Sequence, residues 1–141
     1  LGFIMRRNMP IEGKMVNGRA TLLLGTAQNT GGVNGHFHAD LVRQLARQRI
    51  DLGDVEYATM NRSMRTATGL DTLGGIENRR PDIVAIRRDG KVDLIEVRSD
   101  SQHPADVILM LEEIWQGLPE NMRGNRFGVE LNGDYFYEII P

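Results

Sequence analysis

The sequence predicts a single α/β domain with a central mixed sheet, a β-hairpin carrying the candidate site, and flanking helices. Segments with helical periodicity alternate with short apolar runs, as in α/β proteins. Residues 83–86 and 92–97 are largely apolar and lie on either side of an Asp-Gly dipeptide, which is typical of a hairpin. The chain has 141 residues, enough for one domain with a core, and it lacks the cysteines for a disulfide framework or a cysteine-based zinc site.

The residues before this hairpin predict a strand, a helix and a second strand. Residues 20–24 are apolar and bounded by glycines, as a short strand would be, and residues 26–35 form a Gly/Asn/Thr-rich loop. A helix is expected over residues 34–49, and residues 54–60 alternate as in a strand. The residues expected to form the buried stripe of this helix are Phe37, Leu41, Val42, Leu45 and Ala46.

The residues around and after the hairpin predict a long connection, a helix and a second hairpin. Residues 61–77 are polar with little periodicity and are expected to form a connection with a short helix. Residues 104–118 begin with proline and have helical periodicity. Residues 127–131 and 135–140 flank an Asn-Gly dipeptide and predict two further antiparallel strands.

Domain organisation and charge limit the classes of function. Residues 1–18 lack clear periodicity and are interpreted as an N-terminal tail or a linker from a precursor, with the domain proper at residues 19–141. No apolar run reaches membrane-spanning length. The net charge of −2 argues against a strongly basic nucleic-acid binder, but 15 of the 17 basic residues are arginine, which suits phosphate recognition.

The length of the hairpin loop decides how two acidic residues are placed. With a two-residue loop, Asp82 and Glu96 would point to opposite faces of the sheet. With a three-residue loop, Arg88–Gly90, Asp82 lies directly across from Glu96. This loop is a type I turn followed by a left-handed residue, and Gly90 stands where that residue is required. We therefore predict the three-residue loop.

The two carboxylates at one end of the hairpin indicate a site that holds a cation, because burying an unpaired carboxylate is costly. Strands that are apolar on both faces belong in the middle of a covered sheet, so a cleft is expected at their end. The sequence leaves a structural alternative open. In that alternative, Asp82 caps a turn after Pro81, and Glu96 forms an ion pair with Arg80 or Arg98.

Several short motifs follow one another between residues 78 and 124. They are Pro81-Asp82, the turn-forming Asp89–Asp93 segment, Glu96–Ser99, a helix, and Leu118–Gly124. Together they resemble the PD-(D/E)xK nuclease superfamily over roughly a third of the chain. More narrowly, they resemble the C-terminal toxin domains of bacterial polymorphic toxins of the contact-dependent-inhibition, filamentous-haemagglutinin and Rhs types. The resemblance implies a restriction-endonuclease-like fold.

The resemblance also implies a metal-dependent endonuclease, a hydrolase of phosphodiester bonds. Asp82, Glu96 and the backbone carbonyl of Val97 would bind Mg²⁺ or Mn²⁺. Arg98 would be the third catalytic residue and contact a phosphate oxygen, although the superfamily usually has lysine at this position. Arginine binds phosphate well but is a poor base, so the identity of the general base is left open.

Residues beside these motifs are the expected substrate contacts. Arg79 and Arg80 lie next to the first acidic residue, and Ser99 and Gln102 lie just past the second strand. His38 flanks the apolar face of the first predicted helix and is an additional candidate to reach the cleft.

The implied biological role is that of the toxic domain of a delivered or secreted bacterial toxin used in competition between bacteria. It would act in the target-cell cytoplasm on nucleic acid, with DNA favoured over RNA, and a cognate immunity protein would block it. Two alternatives are kept. One is a catalytically inactive protein- or nucleic-acid-binding module on the same scaffold, and the other is an RNase that acts on tRNA.

Overall fold

The computed structural model describes residues 10–16, 19–27 and 34–141. The strands are β1 (Pro10–Val16), β2 (Arg19–Gly25), β3 (Val55–Met60), β4 (Ile83–Arg87), β5 (Val92–Val97), β6 (Arg123–Val129) and β7 (Tyr135–Ile139). The helices are α1 (Gly35–Asp51), α2 (Met64–Thr68) and α3 (Pro104–Gly117), and a 3₁₀ turn follows at Glu120–Met122.

The strands form one sheet in which the spatial order equals the order along the chain. β2 pairs with β3 and β5 pairs with β6 in parallel, and all other neighbours are antiparallel. Each parallel pair is connected through a helix, α1 in the first case and α3 in the second, as parallel pairing requires. The predicted single α/β domain with a central mixed sheet and flanking helices is confirmed.

The central hairpin of β4 and β5 is covered on both faces. One face packs with α1 in a core cluster that contains Ile83, Ala85, Ile95 and Val97. The other face packs with α3 in a cluster that contains Val84, Val92 and Leu94. These hairpin side chains are at most 3% exposed, so the prediction of a strand pair that is apolar on both faces is confirmed.

The pairing register confirms the three-residue loop. Ile83 lies opposite Ile95, and Ile86 lies opposite Val92. Continued by one residue, this register places position 82 across from position 96. The Arg87 N–H donates to the Lys91 carbonyl at 2.9 Å, and Gly90 has φ = +87°, the left-handed conformation that the turn requires.

Most other elements occur where the sequence predicts them, with ends that differ by a few residues. Two predictions were wrong. Residues 10–16 were assigned to a tail, but they form β1, which pairs with β2. The missed signal is Asn17-Gly18, a dipeptide favoured in two-residue hairpin loops.

Phe37 was placed in the core, but its side chain is 55% exposed, because the buried stripe of α1 passes through His38 and Ala39 instead. Of the predicted loop at residues 26–35, positions 28–33 lie outside the described residues.

A buried ionic network fixes the turn end of the hairpin. Asp93 is fully buried and accepts hydrogen bonds from the Arg49 guanidinium at 2.7 and 3.1 Å and from the Asn125 backbone N–H at 2.7 Å. Arg87 approaches the same carboxylate at 3.3 Å, and Arg49 also binds Asp54. The Asp93 carboxylate is therefore both neutralised and hydrogen-bonded, which is the condition for burying a charge.

We expect Asp93→Ala to lower the free energy of unfolding by about 3–5 kcal/mol, because it leaves the buried Arg49 guanidinium without one of its two carboxylates. Urea unfolding would measure this. Asp40→Ala is the matched control, since Asp40 is 66% exposed and its ion pair is with Arg43 on its own helix, and its loss should cost under about 0.5 kcal/mol. Equal losses in the two variants would show that the network does not stabilise the fold.

Candidate active site at the end of the central hairpin

Asp82 and Glu96 are held together by reciprocal hydrogen bonds at the open end of the hairpin. The Asp82 backbone N–H donates to Glu96 Oε1 at 2.8 Å, and the Val97 N–H donates to Asp82 Oδ2 at 2.8 Å. Each carboxylate thus binds the backbone of the opposite strand. The predicted placement of both carboxylates on one side of the hairpin end is consistent with these contacts.

A cavity of about 220 Å³ opens at this point, beside the ends of α1, β3, β4 and β5. Its lining residues are His38, Asn61, Arg80, Asp82, Glu96, Ser99 and Gln102. The structure therefore brings together six residues that the sequence analysis singled out, and it adds Asn61. Arg98 and Arg79, which were also expected at the site, do not line the cavity.

The carboxyl group of Glu96 is poorly solvated, because Glu96 is only 7% exposed. Burial raises the pKa of Glu96 well above its ordinary value, and repulsion from the Asp82 carboxylate raises the pKa further. A hydrogen bond from the Asp82 N–H and the positive charge of Arg79 act in the opposite direction but do not outweigh these effects. The carboxylate pair therefore favours uptake of a proton or a cation.

His38 connects α1 to the carboxylate pair. Its Nε2 lies 2.9 Å from the Val97 carbonyl oxygen and 3.4 Å from Asp82 Oδ2, and the residue is 4% exposed. With a proton on Nε2, the imidazole donates to the Val97 carbonyl. His38 thus reaches the cleft, as expected, and fixes the backbone between the two strands.

The donor set fits a hard divalent cation. Asp82 and Glu96 each use one oxygen for the reciprocal hydrogen bonds described above, and each retains a second oxygen. The Val97 carbonyl retains a second lone pair beside His38. Among the described residues, no group of three or more histidine or acidic side chains is arranged to hold a metal ion. A cation here would therefore rely on two carboxylates, a carbonyl and water, a set that suits Mg²⁺.

Arg98 does not line the cavity, although its guanidinium contacts two residues that do, Ser99 and Gln102. Its Nε donates to Glu130 Oε2 at 2.8 Å, and its Nη1 donates to the Gln102 carbonyl at 2.9 Å. The Arg98 N–H continues the pairing of β5 with β6 by donating to the Val129 carbonyl, which places its side chain beside Glu130. The Arg98 guanidinium is therefore already engaged by a carboxylate and a carbonyl. The structural alternative in which Glu96 pairs with Arg98 was wrong, because Arg98 forms its ion pair with Glu130. Arg80 donates a hydrogen bond to the Asn61 carbonyl.

The two arginines before the hairpin differ in position. Arg80 lines the cavity, is exposed, and donates to the Asn61 carbonyl at 3.3 Å. Arg79 instead forms an ion pair of 3.2 Å with Glu113 of α3. Of the two, Arg80 lines the cavity, whereas the charge of Arg79 lowers the pKa of Glu96.

Ser99 and Gln102 form the wall of the cavity that follows β5. The Ser99 N–H donates to Gln102 Oε1 at 3.0 Å, and the Gln102 N–H donates to the Ser99 carbonyl at 3.1 Å. These two bonds close a compact turn between β5 and α3. They hold both residues beside the carboxylates, where the sequence analysis expected them.

Asn61 is the site residue that the sequence analysis did not single out. It directly follows β3, and its φ of +52° is the left-handed conformation. The available signal was an asparagine at a predicted strand end, since asparagine tolerates this conformation better than most residues.

No known protein family, curated protein or solved structure matches the chain. Among the described residues, none of the helices has the length and hydrophobicity to cross a membrane. The fold and the site define an α/β domain with an acidic pair in a small cavity beside an arginine. The function is therefore inferred from the chemistry of this site.

The unmodified domain should lose stability as the pH rises, because the buried Glu96 must then ionise. We expect Glu96→Gln, which has no proton to lose, to abolish this dependence on pH. The pKa of Glu96 is raised by folding, so its contribution is fully present below the ordinary glutamate pKa of about 4.5 and is lost as the pH rises through the folded pKa. In chelator, the variant and the unmodified domain should have similar urea midpoints at about pH 4, and the variant should become the more stable toward about pH 8.

The control for this measurement is Glu120→Gln, because Glu120 is exposed in the 3₁₀ turn. It measures the effect on the urea midpoint of the same substitution at an exposed position. If the difference in urea midpoint between Glu96→Gln and the unmodified domain were the same at every pH, folding would not raise the pKa of Glu96.

Proposed function

We propose that this domain is a metal-dependent nuclease that hydrolyses phosphodiester bonds. The observation that supports the proposal is the buried Glu96 beside Asp82, in a cavity that Arg80 also lines. A buried carboxyl group beside a second, partly exposed carboxylate is unfavourable for the fold alone when both are ionised, so it indicates a cation-binding role. The order of motifs shared with the PD-(D/E)xK superfamily supports the same activity.

Each residue of the site has a role in this proposal. Asp82, Glu96 and the Val97 carbonyl hold Mg²⁺ or Mn²⁺, which would lower the pKa of a bound water and neutralise charge on the scissile phosphate. His38 orients the Val97 carbonyl through its hydrogen bond. Arg80 donates to phosphate oxygens, since its guanidinium suits phosphate and lies at the cavity.

Arg80 takes the charge-stabilising role that the resemblance assigned to Arg98. Arg98 is held by Glu130 and by the Gln102 carbonyl, so contact with a phosphate would require it to give up these partners. Among the described residues, Arg80 makes one long hydrogen bond, to a carbonyl, and has no such requirement. The departure of this chain from the lysine of the superfamily is therefore compatible with an active site.

The same resemblance leads us to propose the biological setting. The domain would be the C-terminal toxic part of a delivered interbacterial toxin that acts on nucleic acid, DNA in preference to RNA, in the cytoplasm of the target cell. A cognate immunity protein would bind it and block cleavage.

A second candidate function is favoured by one observation. The Arg98–Glu130 ion pair is what a scaffold with no chemistry at this position would form. The domain would then be a catalytically inactive module that binds protein or nucleic acid. An RNase that acts on tRNA is the other alternative, and it uses the same site on a different substrate.

Cleavage of plasmid DNA and of bulk tRNA, each with Mg²⁺, Mn²⁺ or chelator, tests the proposed activity. We expect cleavage that depends on metal and is abolished by Asp82→Ala or Glu96→Ala, because each removes a metal ligand. Both variants should remain folded, since removal of one carboxylate relieves repulsion with the other. Glu120→Ala removes an exposed carboxylate in the 3₁₀ turn and should cleave normally.

The substrate that is consumed distinguishes a DNase from a tRNA-directed RNase. Cleavage that persists in chelator, or in the Glu96→Ala variant, would contradict the proposed mechanism. If folded protein cleaved neither substrate with any metal, the binding module would be the better interpretation.

We expect different results from substitutions of Arg80 and of Arg98. Arg80→Ala should lower kcat/KM by roughly 10- to 100-fold, the loss expected for one charged hydrogen bond to phosphate, without lowering the urea midpoint. Arg98→Ala should lower the urea midpoint, because it leaves Glu130 without its partner. Arg98→Lys should retain partial stability and activity, since lysine keeps the charge but not the planar fork.

Kinetics and unfolding of the three variants, measured together, decide between the roles. Full activity in Arg80→Ala combined with a complete loss in a stably folded Arg98→Ala would return the phosphate-contacting role to Arg98.

A further inference from the structure

We propose that Asn61 is a substrate-binding residue whose carboxamide donates a hydrogen bond to a phosphate oxygen of bound nucleic acid. This inference rests on the proposed function and adds a contact that the superfamily motif does not include. Three observations support it: the backbone conformation of Asn61, the partners of its backbone, and the state of its side chain.

The backbone of Asn61 adopts a conformation that disfavours a side chain. Its φ is +52°, in the left-handed region that favours glycine. At every other described position with positive φ, the chain has glycine. Those positions are Gly25, Gly53, Gly69, Gly74, Gly75, Gly90 and Gly133. Asn61 is the position in this described set that borders the cavity and keeps a side chain.

The backbone of Asn61 already meets the needs of the fold. Its N–H donates to the Asp82 carbonyl at 3.1 Å, and its carbonyl accepts the Arg80 guanidinium at 3.3 Å. Both partners belong to the cavity, so this peptide segment ties the end of β3 to the acidic pair and to the arginine. Glycine would form the same two bonds with less strain. The fold therefore does not account for the carboxamide.

The side chain of Asn61 is available for a ligand. Within the part of the chain that the structure describes, its carboxamide forms no hydrogen bond, and the residue is partly exposed and lines the cavity. The amide nitrogen carries two donors and no charge. A phosphodiester that approaches Asp82 and Glu96 is repelled by them, and donors on the cavity wall offset this repulsion. Arg80 and Asn61, joined through their mutual hydrogen bond, would form that wall.

Binding measurements test the inference without relying on cleavage. Fluorescence anisotropy would follow the binding of a short labelled DNA duplex and of labelled tRNA, with Ca²⁺ in place of Mg²⁺. Asn61→Gly should weaken binding roughly tenfold, the loss expected for one hydrogen bond to a charged group. Its melting temperature should be unchanged or higher, because glycine adopts the left-handed conformation freely.

Two further variants sharpen the comparison. Asn61→Asp keeps the shape of the side chain but adds a negative charge, so it should weaken binding more than Asn61→Gly, and added salt should reduce the difference. Asn121→Gly makes the same change at an exposed asparagine in the 3₁₀ turn and should bind normally.

The outcomes separate this inference from the proposed nuclease activity. Equal binding by Asn61→Gly and the unmodified domain would overturn the role of Asn61, and so would an absence of binding by the unmodified domain to either nucleic acid. Binding that Asn61→Gly weakens, in a domain that cleaves neither substrate with any metal, would support the role of Asn61 and reject the nuclease.

Discussion

The register of the central hairpin is the constraint on which the rest of the structure depends. Because side chains alternate between the faces of a sheet, a slip of one residue would move every side chain of one strand to the opposite face relative to its partner strand. The left-handed Gly90 selects the three-residue turn, and this turn sets Asp82 across from Glu96. The same register directs Asp93 to the opposite face, where Arg49 of α1 meets it. One turn thus positions both Asp93, whose ion pairs hold the hairpin in place, and the candidate site.

The fold was predictable from the sequence where local pattern and tertiary packing agree. The hairpin strands are apolar on both faces, and α1 and α3 carry clear apolar stripes, so their positions follow from periodicity alone. Residues 10–16 have no such pattern, and their strand is defined by pairing with β2. The exposure of Phe37 depends on how α1 is rotated against the sheet, and periodicity specifies that rotation only to within about one residue.

The site was predictable as far as strand register determines it. Asp82 and Glu96 follow from the turn, and Ser99 and Gln102 follow from the end of the strand. The orientation of Arg98 does not, because the competing partner, Glu130, directly follows β6 and lies 32 residues later in the chain. The place of Asn61 depends on a backbone angle at the end of β3 and on contacts with Arg80 and Asp82, which precede β4. Such long-range contacts leave no signal within a short window of sequence.

The chain buries two acidic side chains within one strand and treats them differently. Asp93 is matched by arginines, whereas Glu96 is left beside a second carboxylate, although 15 arginines are present in the chain. A pair that favours a bound proton can admit a divalent cation only by releasing that proton. Binding of the cation would then replace the proton. Protons would compete directly with the cation, so the fraction of sites that hold the cation would depend both on the pH and on the concentration of the cation.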